Sequence, residues 1–184
     1  MIKIESERLL IRDHIPTDIE GLHKLLSDST IMYYLQDIKS NSFEDSKQNL
    51  ETAILESKIA NREKYFFGII LRDSQEYVGE IGFTVIEDSP LGKVVNLGYF
   101  ILKEHWGKGF VTEAAIKVID YAFRECNVHK IVTGCIKENC NSEKIMKKCN
   151  MVKEAEYGKH VWHDGEYKDR VEYGLLREDY HNKI

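Results

Sequence analysis

Apolar residues along the chain recur at two spacings, and each change of spacing marks an element. Arg8-Leu9-Leu10-Ile11-Arg12 is a short apolar run between charges, the pattern of a buried strand. After Pro16-Thr17-Asp18, the residues Ile19, Leu22, Leu25 and Leu26 fall at helical spacing, with Thr17 or Asp18 placed as an N-cap. A polar stretch, Lys39 to Ser46, separates this helix from a second one predicted over Ser46 to Ala60. Two strands follow, Lys64 to Leu71 and Tyr77 to Ile86, joined at Arg72-Asp73-Ser74-Gln75.

Val94 to Leu102 is almost wholly apolar, as expected of a strand covered on both faces. A turn with two glycines, Trp106-Gly107-Lys108-Gly109, comes directly after it. Ala115, Val118, Ile119, Ala122 and Phe123 then form one apolar stripe, predicting an amphipathic helix. Lys130 to Ile136 gives the next strand, and a strand-turn-helix-strand order implies a parallel pair. A shorter helix is expected after Asn141-Ser142, with Ser142 as its cap, ending near Cys149-Asn150. The last two strands, Val152 to His163 and Lys168 to Leu176, flank Asp164-Gly165, a strong hairpin signal. Without an internal repeat or a linker, residues 1–184 read as a single α/β (α+β) domain with a mixed sheet.

Composition narrows the partners. With 31 acidic against 26 basic residues, the net charge of -5 supplies no global positive field for nucleic acid or an anionic membrane. It suits a cationic partner such as an amine. Cys126, Cys135, Cys140 and Cys149 contain no Cys-x-x-Cys pair, so neither a zinc knuckle nor a redox motif is expected. Charges interrupt the apolar residues of Met1 to Arg8, and no apolar run approaches the ~20 residues that span a bilayer. A cytoplasmic protein with free thiols, and without a metal, is the expectation.

The glycine turn is the first candidate for chemistry. A strand that passes through glycines into a helix aims unpaired backbone N–H groups at one point, and such a nest stabilises phosphate. Local sequence leaves two readings open, an anion site or a tight connection. The glycine spacing fits neither a Walker loop nor the Rossmann fingerprint. The segment His105-Trp106-Gly107-Lys108-Gly109-Phe110-Val111-Thr112-Glu113-Ala114 resembles the acyl-CoA motif of the GNAT superfamily of N-acetyltransferases, in the branch of the ribosomal-protein alanine acetyltransferases. Glu7 to Arg12, Asn139-Cys140-Asn141-Ser142 and Asp164 to Asp169 are similar to the same branch, in the same order.

That resemblance implies a GNAT-like domain in which a pair of parallel strands splays and admits the pantetheine arm of acetyl-CoA. It assigns the cofactor to the main chain of Phe100, Ile101 and Leu102, to Trp106, Gly107, Lys108, Gly109, Phe110, Val111 and Thr112, and to Asn139 and Ser142. Gly98 reads either as a bend serving that splay or as simple close packing. The implied reaction is direct attack of a primary amine, of a small molecule or a protein N-terminus, on acetyl-CoA in a ternary complex. Ser142 is the implied proton source for the thiolate, because Met146 stands where many members carry a tyrosine. For the base, Glu80 and His160 are candidates, with His163 a further one; Tyr33, Tyr34, Trp162, Tyr167 and Asp169 are candidates for holding the acceptor. The competing reading is a CoA-binding regulator without catalysis, and the expected assembly is a monomer or homodimer.

Overall fold

Strand Leu9–Asp13 buries Leu9, Ile11 and Asp13 and leaves Leu10 and Arg12 half-covered, the period of two that places one face on a core. In the computed structural model, which describes residues 1–181, this strand belongs to the first of two compact units. That unit comprises Met1–Thr84 with Gly98–Val118; the second comprises Val85–Leu97 with the chain from Ile119.

In the first unit β1 (Lys3–Glu5), β2 (Leu9–Asp13), β3 (Lys64–Leu71) and β4 (Tyr77–Ser89, up to Thr84) form antiparallel ladders in that order. Helices α1 (Ile19–Ser27) and α2 (Phe43–Glu56) contribute Leu22, Leu26 and Leu50 to a core with Met32, against which Tyr77 and Phe100 pack. Helix α2 starts three residues before the expected Ser46. Ser42 Oγ accepts the Asp45 N–H while Asp45 accepts the Ser42 N–H, a capping box written with Asp in place of Glu. Gly82 is required by close approach, since a Cβ there would lie 2.0 Å from the Tyr65 carbonyl oxygen.

Strand β5 (Gly92–Ile101) and helix α3 (Phe110–Glu125) each contribute residues to both units. Over Lys93 to Asn96, β5 pairs in parallel with β6 (Val128–Ile136). Its residues alternate, with Val95 and Leu97 buried and Asn96 and Gly98 exposed, so the expected cover on both faces is absent. A Cβ on Gly98 would meet nothing within 4 Å, which removes the close-packing reading of that glycine.

The second unit continues through α4 (Cys140–Lys148), β7 (Val152–His163), β8 (Glu166–Leu176) and α5 (Arg177–His181). Strand β8 lies between β6 and β7, antiparallel to both. Asp164 and Gly165 take φ of 51° and 83°, the two positive values of a two-residue hairpin turn. Strand β7 is irregular: Tyr157 pairs with Arg170 and Val161 with Lys168, four steps along β7 against two along β8. Antiparallel ladders plus the parallel pair of β5 and β6 make the strands a mixed α/β arrangement with flanking helices. Among the described residues no helix is long and apolar enough to cross a membrane.

Candidate active site

The turn between β5 and α3 depends on its glycines. Gly107 and Gly109 adopt φ of 74° and 81°, values that side chains rarely take. A Cβ on Gly107 would meet nothing within 4 Å, and one on Gly109 only Arg8 Nη2 at 3.6 Å, so the turn faces open space. The Glu113 N–H donates to Gly109 O at 3.0 Å as the first helical bond. The N–H groups of Phe110, Val111 and Thr112 therefore precede the intrahelical ladder, at the positive end of the helix dipole. Phe110 and Val111 bury their side chains, which leaves main-chain donors as what they offer a ligand.

Five hydrogen bonds and one cation–π contact fix this turn within the first unit. Trp106 Nε1 donates to Ile101 O at 3.0 Å, and Arg8 Nη1 donates to Lys108 O at 3.0 Å. Glu113 accepts from the Ser6 hydroxyl at 2.7 Å, from the Arg8 N–H at 3.0 Å and from Arg8 Nε at 2.7 Å, while the guanidinium lies over the Phe110 ring. Burial pushes the Glu113 carboxyl up, but the Ser6 and Arg8 hydrogen bonds outweigh it and hold the group below its ordinary value. On the strand before the turn, the Leu102 N–H is committed to Val78 O at 2.8 Å, which withdraws it from any ligand. Gly79 admits this strand closely, since a Cβ there would lie 2.6 Å from Phe100 O.

A second group of polar residues lies inside the first unit. Arg12 donates from both terminal nitrogens to Asp18, each at 2.8 Å, and Asp18 also accepts the Ile15 N–H. His14 is fully enclosed, its Nδ1 3.4 Å from Asp18 Oδ2 and its Nε2 3.1 Å from Glu80 Oε2. Burial opposes a charge on His14, yet its two carboxylate neighbours prevail and push it up to about 9. Asp18 is held well below the carboxylate range: burial acts against this, and the bonds from Arg12, His14 and the Ile15 N–H outweigh it. Asp18 therefore serves this network, with no side-chain bond capping α1. The candidate base Glu80 is buried and paired.

The second unit carries the other candidates. Asn139, not Ser142, caps α4: its side-chain oxygen accepts the Ser142 N–H at 3.2 Å. A helix that begins at Cys140 puts Ser142 in the first turn, close enough to the Cys135 thiol to act on it, while that thiol donates to Asn139 O at 3.8 Å. Cys135 is buried, and that burial raises its pKa even though the Ser142 side chain opposes it. Met146 is buried, consistent with packing, and Asn150 takes φ of 59° just past the helix. His160 is exposed in the irregular part of β7, stacked on Tyr157 with ring centroids 4.9 Å apart. Asp169 accepts the Lys159 N–H at 2.9 Å and so fixes that irregularity. The extra residues in β7 also break the strict alternation that would have put His160 and His163 on opposite faces. Among the described residues no group of His, Cys, Asp or Glu is arranged to hold a metal ion.

Within their own units the aromatic candidates form pairs: Tyr33 with Tyr34 at 4.9 Å and Trp162 with Tyr167 at 5.2 Å, both edge to face. The turn, Glu80 and Tyr33-Tyr34 lie in the first unit; Asn139, Ser142, His160, Trp162, Tyr167 and Asp169 lie in the second. His14, Arg12 and Cys135 carried no site assignment from sequence. A charged triplet, Arg12-Asp13-His14, closing an apolar strand is the signal that could have found the first two; none marks Cys135.

Comparison with known proteins identifies the family of the chain. Residues 8–152 match the acetyltransferase (GNAT) domain family. The uncharacterized N-acetyltransferase YnaD of Bacillus subtilis is 30% identical over 177 residues, covering 96% of this chain and 98% of its own length. Spermidine N(1)-acetyltransferase of Vibrio cholerae is 26% identical over 179 residues, 97% of this chain and 98% of its own. Among solved structures, spermidine N-acetyltransferase from Vibrio cholerae in complex with CoA and spermine shares the fold, with a TM-score of 0.81, 22% identity and coverage of 96% and 100%.

Proposed function

Because the chain belongs to the GNAT acetyltransferase family and so uses acetyl-CoA to acetylate an amine, we propose that it transfers the acetyl group to a cationic primary amine by direct attack. The open Gly107-Lys108-Gly109 turn is the observation that carries the cofactor half of this reading. Its positive-φ glycines and the first N–H groups of α3 fit a diphosphate, and Lys108 adds charge beside them. Among acceptors, the similarity to a spermidine acetyltransferase over nearly the whole chain favours an aliphatic polyamine over a protein N-terminus, and the net charge of -5 is consistent with a cation.

Attack needs a neutral amine, so a base must take one proton; the thioester then breaks and the thiolate needs a proton. Glu80 is the base in this proposal, supported by its place on β4 next to Gly79, against which Phe100 and Ile101 lie. Ser142 is carried forward as the proton source for the thiolate. The four cysteines are free thiols, which supports a reducing, cytoplasmic setting. Cys140 is exposed and offers the competing route through an acyl-enzyme.

The test is release of CoA thiol from acetyl-CoA with spermidine, spermine, an aminoglycoside and peptides with free N-termini as acceptors, followed by mass spectrometry of the product. A monoacetylated polyamine supports the reading, and turnover confined to peptides overturns the acceptor assignment. Tight acetyl-CoA binding without any product would return the chain to a regulator. A thioester trapped on Cys140 would sink direct attack, whereas undiminished turnover in Cys140→Ala supports it.

A further inference from the structure

Besides the buried pair Arg62–Asp13, four enclosed groups of the first unit alternate in charge along one line: Arg12, Asp18, His14, Glu80. We infer that His14, itself gripped by Asp18, is a positioning residue that fixes the Glu80 carboxylate for proton removal from the acceptor amine. The inference rests on the reading of Glu80 as the base.

The geometry leaves little freedom. One imidazole nitrogen faces each carboxylate at ion-pair distance, 3.4 Å and 3.1 Å, outside strict hydrogen-bond geometry, so it is the charge of the doubly protonated ring that both carboxylates attract. The ring is then fixed at Nδ1 by Asp18, and Asp18 by the two-nitrogen grip of Arg12. His14 in turn occupies Oε2 of Glu80, while Oε1 has no hydrogen-bond partner among the described residues. One carboxylate oxygen is anchored and the other is left to accept.

Room for this device is made by a glycine. Across three strands Arg12 stands opposite Gly68 and Gly68 opposite Glu80. A Cβ on Gly68 would come 2.9 Å from Tyr77 Cε2 and 3.6 Å from His14 Cε1. The groups that face His14 are thus Asp18 from the turn before α1, Glu80 and the Tyr77 ring from β4, and uncharged Gly68 from β3. Tyr77 keeps its hydroxyl buried without a hydrogen-bond partner among the described residues. Stability alone does not account for the arrangement, because apolar side chains of similar volume generally replace buried ion networks at no loss. The cation at His14 is the form favoured up to about pH 9, so the anchor persists through neutral pH.

Steady-state kinetics of Glu80→Gln, His14→Ala, His14→Gln and the Glu80→Gln/His14→Ala double variant test this. Glu80→Gln is expected to lower kcat about 10²-fold, the size of a lost general base. His14→Ala should lower kcat at least ~10-fold with KM for acetyl-CoA unchanged, and His14→Gln, whose amide still donates toward Oε2, should restore most of it. The double variant should be no slower than Glu80→Gln, because His14 acts only through that carboxylate. Losses that multiply overturn the inference, as does full kcat in His14→Ala. Undiminished kcat in Glu80→Gln instead overturns the base assignment, which separates the two failures. Should His14→Ala not fold, the profile of kcat against pH decides with His14→Gln. The natural protein should decline as pH rises through about 9 while the glutamine variant does not, and an identical decline in both overturns the inference.

Discussion

Replacing Gly109 with valine perturbs the turn in a way whose two effects can be separated. Its φ of 81° is a conformation that costs a residue with a Cβ roughly 1–2 kcal/mol, and β-branching sits at the upper end. Steric cost in the ligand-free protein is small, since the added Cβ would meet only Arg8 Nη2 at an ordinary 3.6 Å. For a chain of this length each kcal/mol lowers the melting temperature by roughly 2–4 °C, so the variant should melt about 2–8 °C below the natural protein. Ligand binding adds a second scale: at a hundred times Kd, CoA stabilises by about 2.7 kcal/mol, a rise of roughly 5–11 °C. A diphosphate held by the first N–H groups of α3 must approach the Gly109 backbone closely, so Gly109→Val should lose that rise altogether. Thermal melts with and without CoA, backed by calorimetry, give both numbers from one preparation. A variant that keeps the full CoA-induced rise refutes the diphosphate cradle. Should the ligand-free fall exceed the backbone cost, Gly109→Ala repeats the comparison with a smaller side chain.

Gly82→Ala should destabilise far more than any change at the turn, by about 3 kcal/mol, because its Cβ would sit 2.0 Å from a backbone oxygen that cannot rotate away; denaturant midpoints check this, and a loss below about 1 kcal/mol would contradict the spacing of β3 and β4. The pH dependence of stability follows from His14. Its folded pKa, about 9, lies above its ordinary value, so its stabilisation is complete below roughly pH 6.5 and is lost as pH rises through about 9. Urea midpoints between pH 7 and 10 should fall more steeply for the natural protein than for His14→Gln, and parallel curves would show that His14 is not charged in the folded state.

Elements with a strong period or a local turn signal were legible in the sequence. Strand Val152–His163 falls where its pattern put it, and Asp164-Gly165 makes the turn that its residue types require. Boundaries set by side-chain bonds were less so. Helix α2 begins at Phe43 because Ser42 and Asp45 cap each other, inside a stretch whose polarity reads as a connection. Asn139 rather than Ser142 caps α4, and both are acceptable capping residues, so composition does not choose between them. The glycine turn was legible because its chemistry is contiguous. The His14 network was not. Its longest contact spans 66 positions, from His14 to Glu80, and Asp18 stands at the N-cap position of α1 while its carboxylate serves the network instead of the helix. Burial of charge is decided by what the sheet brings together, and hydrophobic spacing contains no record of it.

The grip of Arg8 and Ser6 on Glu113 has a consequence for how the molecule comes into being. These contacts span 105 and 107 positions, so the clasp that fixes the turn cannot close until the ribosome has passed α3. Until then the first residues made have nothing to hold, and the cradle for the acetyl donor is a late product of synthesis although one of its jaws is among the earliest.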